Sequence, residues 1–397
     1  MRFEFATATR IIFGPGTISE AASLTAEMGK RAFVITGSFM ERAQPLLEAL
    51  GKQGIDYVTF SVPGEPTTTI AVAAAQAARQ TGSEMVISIG GGSVLDTGKV
   101  AAVMLTNIGE LEDYLEVVGA GRALSQPAAP HIAIPTTAGT GAEVTRNAVL
   151  SVPEHHVKVS MRSPYMLPRL AVVDPVLTHS MPPDVTASTG LDALTQLLEV
   201  YVSGQANPLT DGICREGLRR AGRSLRRAYG DGNDSDARQD MAIASLFSGL
   251  GLANAKLGAV HGFAGPLGGM YSAPHGVICA RLLPFVMEAN VKALKQRDAN
   301  SPALAKYDEA ARLLTGSNLA KAADAVAWVR ELCLALKVPS LARYGLKEQD
   351  FEIVTSKAKK SSSMKGNPVE LTDDELINII RQANVDTPCI NKIRMSL

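Results

Sequence analysis

Residues 84–99 read EMVISIGGGSVLDTGK. A near-continuous apolar run ends in three glycines, Gly90, Gly91 and Gly92, and passes through Ser93 into a helical pattern over about 94–105. An apolar run without alternation predicts a strand buried on both faces, as in a parallel sheet. A glycine turn at its carboxyl end, opening a helix, lets backbone amides approach a phosphate, and the helix amino terminus adds partial positive charge. The loop is neither GxGxxG nor a Walker A motif, so it identifies no single nucleotide fold. Its plain alternative is a tight strand-to-helix turn.

The surrounding sequence repeats this theme. Strands are expected at 31–36 (RAFVIT), 55–60 (IDYVTF), 131–135 (HIAIP) and 170–173, with helices to about 50 and over 67–79 between them. Residues 146–151 and 156–161 read as a strand pair joined by a polar turn at Pro153–His155, with His155 and His156 exposed there. The amino terminus, MRFEFATATRIIFG, alternates like a strand. After Pro182 and Pro183 helical patterns dominate, over 184–202, 207–228, 236–256, 281–294, 303–315, 319–336 and 371–383. The expected organisation is therefore an α/β amino-terminal domain with a parallel sheet over 1–180 and an all-helical carboxyl-terminal domain over 181–397.

Composition narrows the function. The 397 residues are 46% hydrophobic and 20% charged, enough for full cores and unlike a disordered chain. Thirty-nine basic residues balance 39 acidic ones, so no basic field is available for nucleic acid. The four cysteines, Cys214, Cys279, Cys333 and Cys389, lie far apart with no CxxC, so neither a disulfide framework nor a thiolate metal cluster is expected. No apolar run reaches membrane-spanning length and no cleavage signal is read, giving the expectation of a cytoplasmic protein with no membrane partner.

Two further stretches carry chemistry. PTTAGTGAEVT at 135–145 follows a strand and offers Thr136, Thr137 and Thr140 to a sugar or diphosphate; two such loops at one sheet edge would flank a crevice. In the helical half, Asp192 and Gln196 share a helix face, and His261 and His275 lie 14 residues apart in VHGFAGPLGGMYSAPHG. An Asp and two His are suitable donors for a divalent ion, with the Gln196 oxygen as a weak fourth. A capping histidine pair beside a buried Asp network is the alternative. Lys158, on the strand after the threonine loop, has the reach for a ribose or nicotinamide-side group, or is a solvated edge lysine. His131 reads as structural.

GGGSVLDTGK at 90–99, PTTAGTGAEVT at 135–145, VVDPVLTHSMPPDVTASTGLDALTQLLEVYVS at 172–203, VHGFAGPLGGMYSAPHG at 260–276 and GNPVELTDDEL at 366–376 together resemble the iron-containing, group III alcohol dehydrogenase family, with glycerol dehydrogenases and maleylacetate reductases as relatives. The resemblance runs in order over nearly the whole chain. It implies the two-domain fold shared with dehydroquinate synthase, an active site between the domains, and reversible hydride transfer between a nicotinamide and a small alcohol, aldehyde or ketone. By it Gly91, Gly92 and Ser93 would hold the pyrophosphate, Asp96 would lie near the carboxamide, Thr136, Thr137 and Thr140 would line the adenine and ribose region, and Lys158 and Leu177 would touch the cofactor. Asp192, His261 and His275 fall on three metal-ligand positions, and His261 and His275 would act at the reacting oxygen.

The chain departs from the family pattern at two positions. The iron enzymes usually carry histidine at the place of Gln196, and many carry another at the place of Gly265. Iron and zinc both stay open, as does a metal-independent, maleylacetate reductase-like enzyme. A nucleotide-binding scaffold without catalysis is the rival from another class, and a lyase of the dehydroquinate synthase type a third. Thr36-Gly37-Ser38 lacks the Asp that NAD-preferring members often place at Gly37, and Ser38 is suited to a 2′-phosphate, which favours NADP, with NAD or dual use the alternative. The resemblance also implies a homodimer paired through the amino-terminal strand.

Overall fold

The computed structural model describes residues 2–155 and 157–386; His156 and Cys389 lie outside the described residues. Strands β1 (Arg10–Phe13), β2 (Arg31–Thr36), β3 (Asp56–Ser61), β4 (Met85–Gly90), β5 (His131–Pro135) and β8 (Leu170–Val173) form one sheet in the order β1-β8-β5-β4-β2-β3, every pair parallel. Between β5 and β8, β6 (Asn147–Val152) and β7 (Val157–Arg162) form the separate antiparallel pair that the sequence predicts.

Both faces of the sheet are covered. Along β2, Ala32 and Val34 face the helices α1 (Ile18–Thr25) and α2 (Gln44–Lys52), while Phe33 and Ile35 face α3 (Thr68–Gln80) and α4 (Gly92–Thr106). This is the period-2 consequence of the pleat. The helices after β2 and β4 therefore leave on opposite faces, and their first turns diverge. Such a switch point is where open α/β sheets bind ligands, outside the carboxyl ends of the strands. The register sets those ends level: Thr36 is one residue past the partner of Ser88, pairing with Ile89, and Gly90 pairs with Pro135.

The rest of the chain is helical: α5 (Pro183–Val202), α6 (Pro208–Gly230), α7 (Ser235–Asn254), α8 (Ala259–Met270), α9 (His275–Arg297), α10 (Pro302–Thr315), α11 (Ala322–Ala335), α12 (Phe351–Lys360) and α13 (Asp373–Ala383). Helix α5 is buried from Gly190 to Val202 and packs on α6, α7 and α9 at the centre of the largest apolar core. Helix α7 also closes the sheet near β8, where Ala242, Leu246 and Leu250 meet Ala171 and Val173. The amino-terminal segment is tied to the same helix: Asn254 accepts from the Ala6 amide at 2.5 Å and donates to its carbonyl at 2.8 Å.

Three elements escape the sequence reading. Helix α1 is short, and α12 precedes the Ser361–Ser363 loop. Helix α8 lies in the Gly- and Pro-rich stretch that reads as irregular, with Pro266 inside it. There, buried packing overrides propensity: Gly262 sits against Met364 and Gly268 against the Lys158 side chain. Helix α9 begins six residues before the expected 281, at His275 itself. Among the described residues, no single helix is long and apolar enough to cross a membrane.

Candidate active site

The glycine turn after β4 opens helix α4, the strand-to-helix arrangement that the sequence predicts. Gly91 caps α4, no side chain caps that helix, and the Val94 and Leu95 amides bond back to the Gly91 carbonyl. The amides of Gly92 and Ser93 are left pointing out of the first turn, where a helix is best suited to an anion. The threonine loop lies beside it. A methyl group on Gly91 would touch Thr137 at 3.4 Å, and one on Gly92 would touch Thr140 Oγ1 at 3.0 Å. Gly91, Gly92, Ser93, Thr137 and Thr140 are all partly exposed, whereas Thr136 is buried behind them. Gly37 and Ser38 stand at the end of neighbouring β2, with Ser38 exposed and its hydroxyl 3.3 Å from the Pro63 carbonyl.

Several expected cofactor residues already have protein partners. Asp96 takes Lys99 Nζ at 3.1 Å on one oxygen and the Val149 amide at 2.9 Å on the other. Lys99 is itself buried, and donates to Thr145 and to the Asn147 carbonyl, both at 2.7 Å. Asp96 thus joins α4 to β6. Lys158 is no free edge lysine, since its side chain is 10% exposed and pairs with Glu65 at 2.7 Å. Leu177 is partly buried against the sheet core. His131 is structural: Ser88 Oγ lies 2.9 Å from its Nε2, and burial, with the Lys99 charge, pushes its imidazole down to about 3.

Glu143, inside the threonine loop, is 2% exposed. Burial pushes its carboxyl up to about 7, against smaller opposing effects of a backbone hydrogen bond and Lys99. With the folded value above the unfolded one, the native state holds a proton that the unfolded chain releases first, so stability falls as pH rises from about 4.5 to about 7. Glu143→Gln removes that loss. Its urea unfolding midpoint should match the parent near pH 4.5 and exceed it at pH 8, by roughly 2–3 kcal/mol in stability.

The helical half brings its candidate residues together. Asp192 on α5, His261 on α8, and His275 and Cys279 on α9 place one ligand atom each within 4.8 Å of one another. His261 Nε2 is 3.3 Å and His275 Nε2 is 3.8 Å from Asp192 Oδ1. Asp192 is 2% exposed and its Oδ1 has no hydrogen-bond partner, nor has the buried Gln196 Oε1. Gln196 Nε2 donates to the other Asp192 oxygen at 3.4 Å. Burial opposes ionisation of Asp192, but the adjacent His261 and His275 imidazoles hold its carboxyl below the usual range. Burial works against the charged His261 too, yet the Cys279 sulfur, Glu199 and Asp192 together draw its imidazole well above the ordinary value. Acceptors that converge on one buried point are what a cation site requires. The His275 side chain, 39% exposed, marks the open side.

Two residues of this site are missed by the sequence reading. Glu199 lies seven positions after Asp192 on the same helix. One oxygen accepts from His261 Nδ1 at 2.6 Å and the other from the Val260 amide at 2.7 Å. It therefore fixes the imidazole with Nε2 turned inward, the usual support for a metal-binding histidine. The spacing of 192, 196 and 199 is the signal that would have revealed it. Glu199→Gln presents an amide donor to Nδ1 and forces the other tautomer, so divalent-ion affinity should fall about 10- to 100-fold in competition with a chromogenic chelator. Cys279 is the second, a lone cysteine that its place in the sequence does not single out. The tail motif has a role as well: Asn367 Oδ1 accepts from the Ala259 amide at 3.2 Å and helps hold α8.

Helix α5 connects the two halves of the site. Just before Asp192, Thr189 packs on Gly139 of the threonine loop and Ser188 on Gly276, next to His275. The phosphate-ready turn, the threonine loop and the His/Asp cluster are thus neighbours along one line of contacts. Residues 8–175 match the family model for iron-containing alcohol dehydrogenase, and residues 186–384 match that for the C-terminal part of the Fe-containing alcohol dehydrogenase family.

The chain belongs to the iron-containing alcohol dehydrogenase family.

Alcohol dehydrogenase 4 of Saccharomyces cerevisiae (strain YJM789) is 36% identical over 94% of this chain and 96% of its own length. The crystal structure of a 1,3-propanediol oxidoreductase superposes with a TM-score of 0.88 at 34% identity, covering 96% of this chain and all of the other, 100%. A sulfoacetaldehyde reductase from Bifidobacterium kashiwanohense, solved in complex with NAD+, gives a TM-score of 0.85 at 28% identity over 97% of this chain and 100% of that one. This dehydrogenase is accordingly an oxidoreductase of the alcohol dehydrogenase type, with the α/β-plus-helical architecture expected of it.

Proposed function

We propose that this dehydrogenase interconverts a small alcohol and its aldehyde or ketone, using NAD(P) and a divalent metal ion. The observation that carries the reading is the Asp192–His261–His275 cluster, with its unpartnered carboxylate oxygen, one turn of α5 from the contact to the threonine loop, which itself lies against the glycine turn. Gly91, Gly92 and Ser93 bind the pyrophosphate through first-turn amides of α4. Thr137 and Thr140 flank it, and Thr136 braces them from behind. Gly37 and Ser38 take the adenosine ribose, where the absence of a carboxylate at Gly37 leaves room for a 2′-phosphate. Lys158, neutralised by Glu65, and Asp96, held by Lys99, shape the nicotinamide side. Leu177 borders the cofactor from the sheet.

Asp192, His261 and His275 would hold the ion, with Gln196 adjoining. When bound, such an ion polarises the substrate oxygen as a Lewis acid, and the nicotinamide gives or takes the hydride. The protein's own work is placement. Glu199 locks His261, Asp192 keeps negative charge at the centre, and the open side at His275 admits the substrate oxygen. Thr189 and Ser188 fix the distance between ring and carbonyl, which sets near-attack geometry. The open edge at β1, with the amino-terminal segment laid along α7, fits pairing with a second copy. We place the enzyme in the cytoplasm.

Dialysis against a chelator tests the central claim. Aldehyde reduction with NADPH or NADH should fall to background and return on adding one kind of divalent ion, while nicotinamide fluorescence shows cofactor binding throughout. Full activity in metal-free protein would overturn the metal-dependent reading in favour of the metal-independent one, and cofactor binding without turnover on any alcohol or aldehyde would favour the scaffold.

A further inference from the structure

Cys279 is the residue that the proposed mechanism leaves unused. It is fully buried on α9, one turn after His275. Its Sγ lies 3.7 Å from His261 Nε2 and 3.6 Å from His275 Nε2. The other described cysteines have no such company. Cys214 and Cys333 sit in the apolar core, where burial drives both thiols upward, that of Cys333 to about 12.

We infer that Cys279 is a ligand of the divalent ion, and that the Asp192, His261, His275 and Cys279 set favours zinc over iron. This rests on the metal-dependent reading above and specifies the ion. The separations support it. With zinc bonds of about 2.0 Å to nitrogen and oxygen and about 2.3 Å to sulfur, a tetrahedron has N–O edges of about 3.3 Å and N–S edges of about 3.5 Å. The corresponding separations are 3.3 and 3.8 Å for the two imidazoles to Asp192 Oδ1, and 3.7 and 3.6 Å for the same imidazoles to sulfur. Four donors on three helices are thus spaced around one point, before any ion draws them in.

The donor chemistry points the same way. A thiolate is a soft donor and suits zinc, whereas the hard oxygen and imidazole sets suit ferrous iron equally well. Gln196 offers only a neutral carbonyl oxygen, while its amide donates to Asp192 Oδ2 at 3.4 Å, so Cys279 supplies the second anion of the set. On binding, the Cys279 S–H bond breaks, its sulfur electron pair goes to the ion, and the proton leaves through the open side at His275. The substrate oxygen would join on that side as a fifth ligand.

The test uses the full-length protein, loaded with zinc and, separately, with cobalt(II). X-ray absorption of the zinc form should show a sulfur neighbour at about 2.3 Å, and the cobalt form an intense thiolate-to-cobalt band in the near ultraviolet. Cys279→Ser should lose both and keep its circular dichroism and NAD(P) binding. Zinc generally outcompetes ferrous iron, so the diagnostic quantity is the ratio of the two affinities, which should fall at least about tenfold in Cys279→Ser. A shell of nitrogen and oxygen alone in the unmodified zinc protein, which needs no variant to fold, overturns this inference and leaves the metal-dependent function standing. A protein that binds NAD(P) yet takes up neither ion overturns both.

Discussion

Asp192→Asn leaves less than about a tenth of the ion bound and lowers kcat by about 1,000-fold, because the Lewis-acid contribution of several kcal/mol is lost. The substitution is nearly isosteric, so the effect is electrostatic and not steric. Among the described residues, Asp192 is the one carboxylate whose oxygen lies within reach of both His261 and His275. Asparagine there offers a neutral oxygen and an amide that competes for the same space. Metal content by mass spectrometry and turnover should fall together, while NAD(P) titration stays unchanged. Retention of full metal content in the variant would show that the two imidazoles and the thiol suffice without it.

Gly141→Ala should damage the fold and the threonine loop together. Gly141 has φ +61, and a methyl group there would come within 2.5 Å of Gly249 N, Gly249 Cα and the Ser245 carbonyl, all backbone of α7. Neither α7 nor the loop can yield by a rotamer change. A cost of about 3 kcal/mol or more is expected, combining left-handed strain with overpacking. The loop can relieve it only by lifting off α7, which also breaks the 3.2 Å bond from Ser248 Oγ to the Gly139 carbonyl. Thr137 and Thr140 would move with it. The measurement is paired: a lowered unfolding temperature, and a NAD(P) Kd raised by at least about tenfold. A drop in stability with unchanged nucleotide affinity would show that the loop does not touch the cofactor.

The two changes illustrate how differently the site was encoded. The three glycines after a buried strand were readable because backbone approach and helix-end charge are local properties, settled within ten residues. Asp192, His261 and His275 were readable as donor types at plausible spacings, and the family resemblance ordered them. Cys279 was not, because a solitary cysteine carries no spacing signal. Its chemistry comes from the return of α9 past α8, which places it between two imidazoles. Glu199 was overlooked for a related reason: its partner His261 is 62 residues away. Lys158 looked like a free cation in sequence, and only the fold supplies Glu65.

The alternation of apolar strands and helices, the two loops at strand ends and the change of texture at Pro182–Pro183 follow from the chain alone, since periodicity and turn chemistry act over short distances. Helix α8 and the early start of α9 were decided by tertiary structure. Glycines that weaken an isolated helix allow it to pack closely on Met364 and Lys158, and the burial gained there outweighs the propensity lost. The same long-range packing converts scattered Asp, Glu, His and Cys residues into one site, because only the three-dimensional fold sets the distance between groups that the sequence keeps far apart.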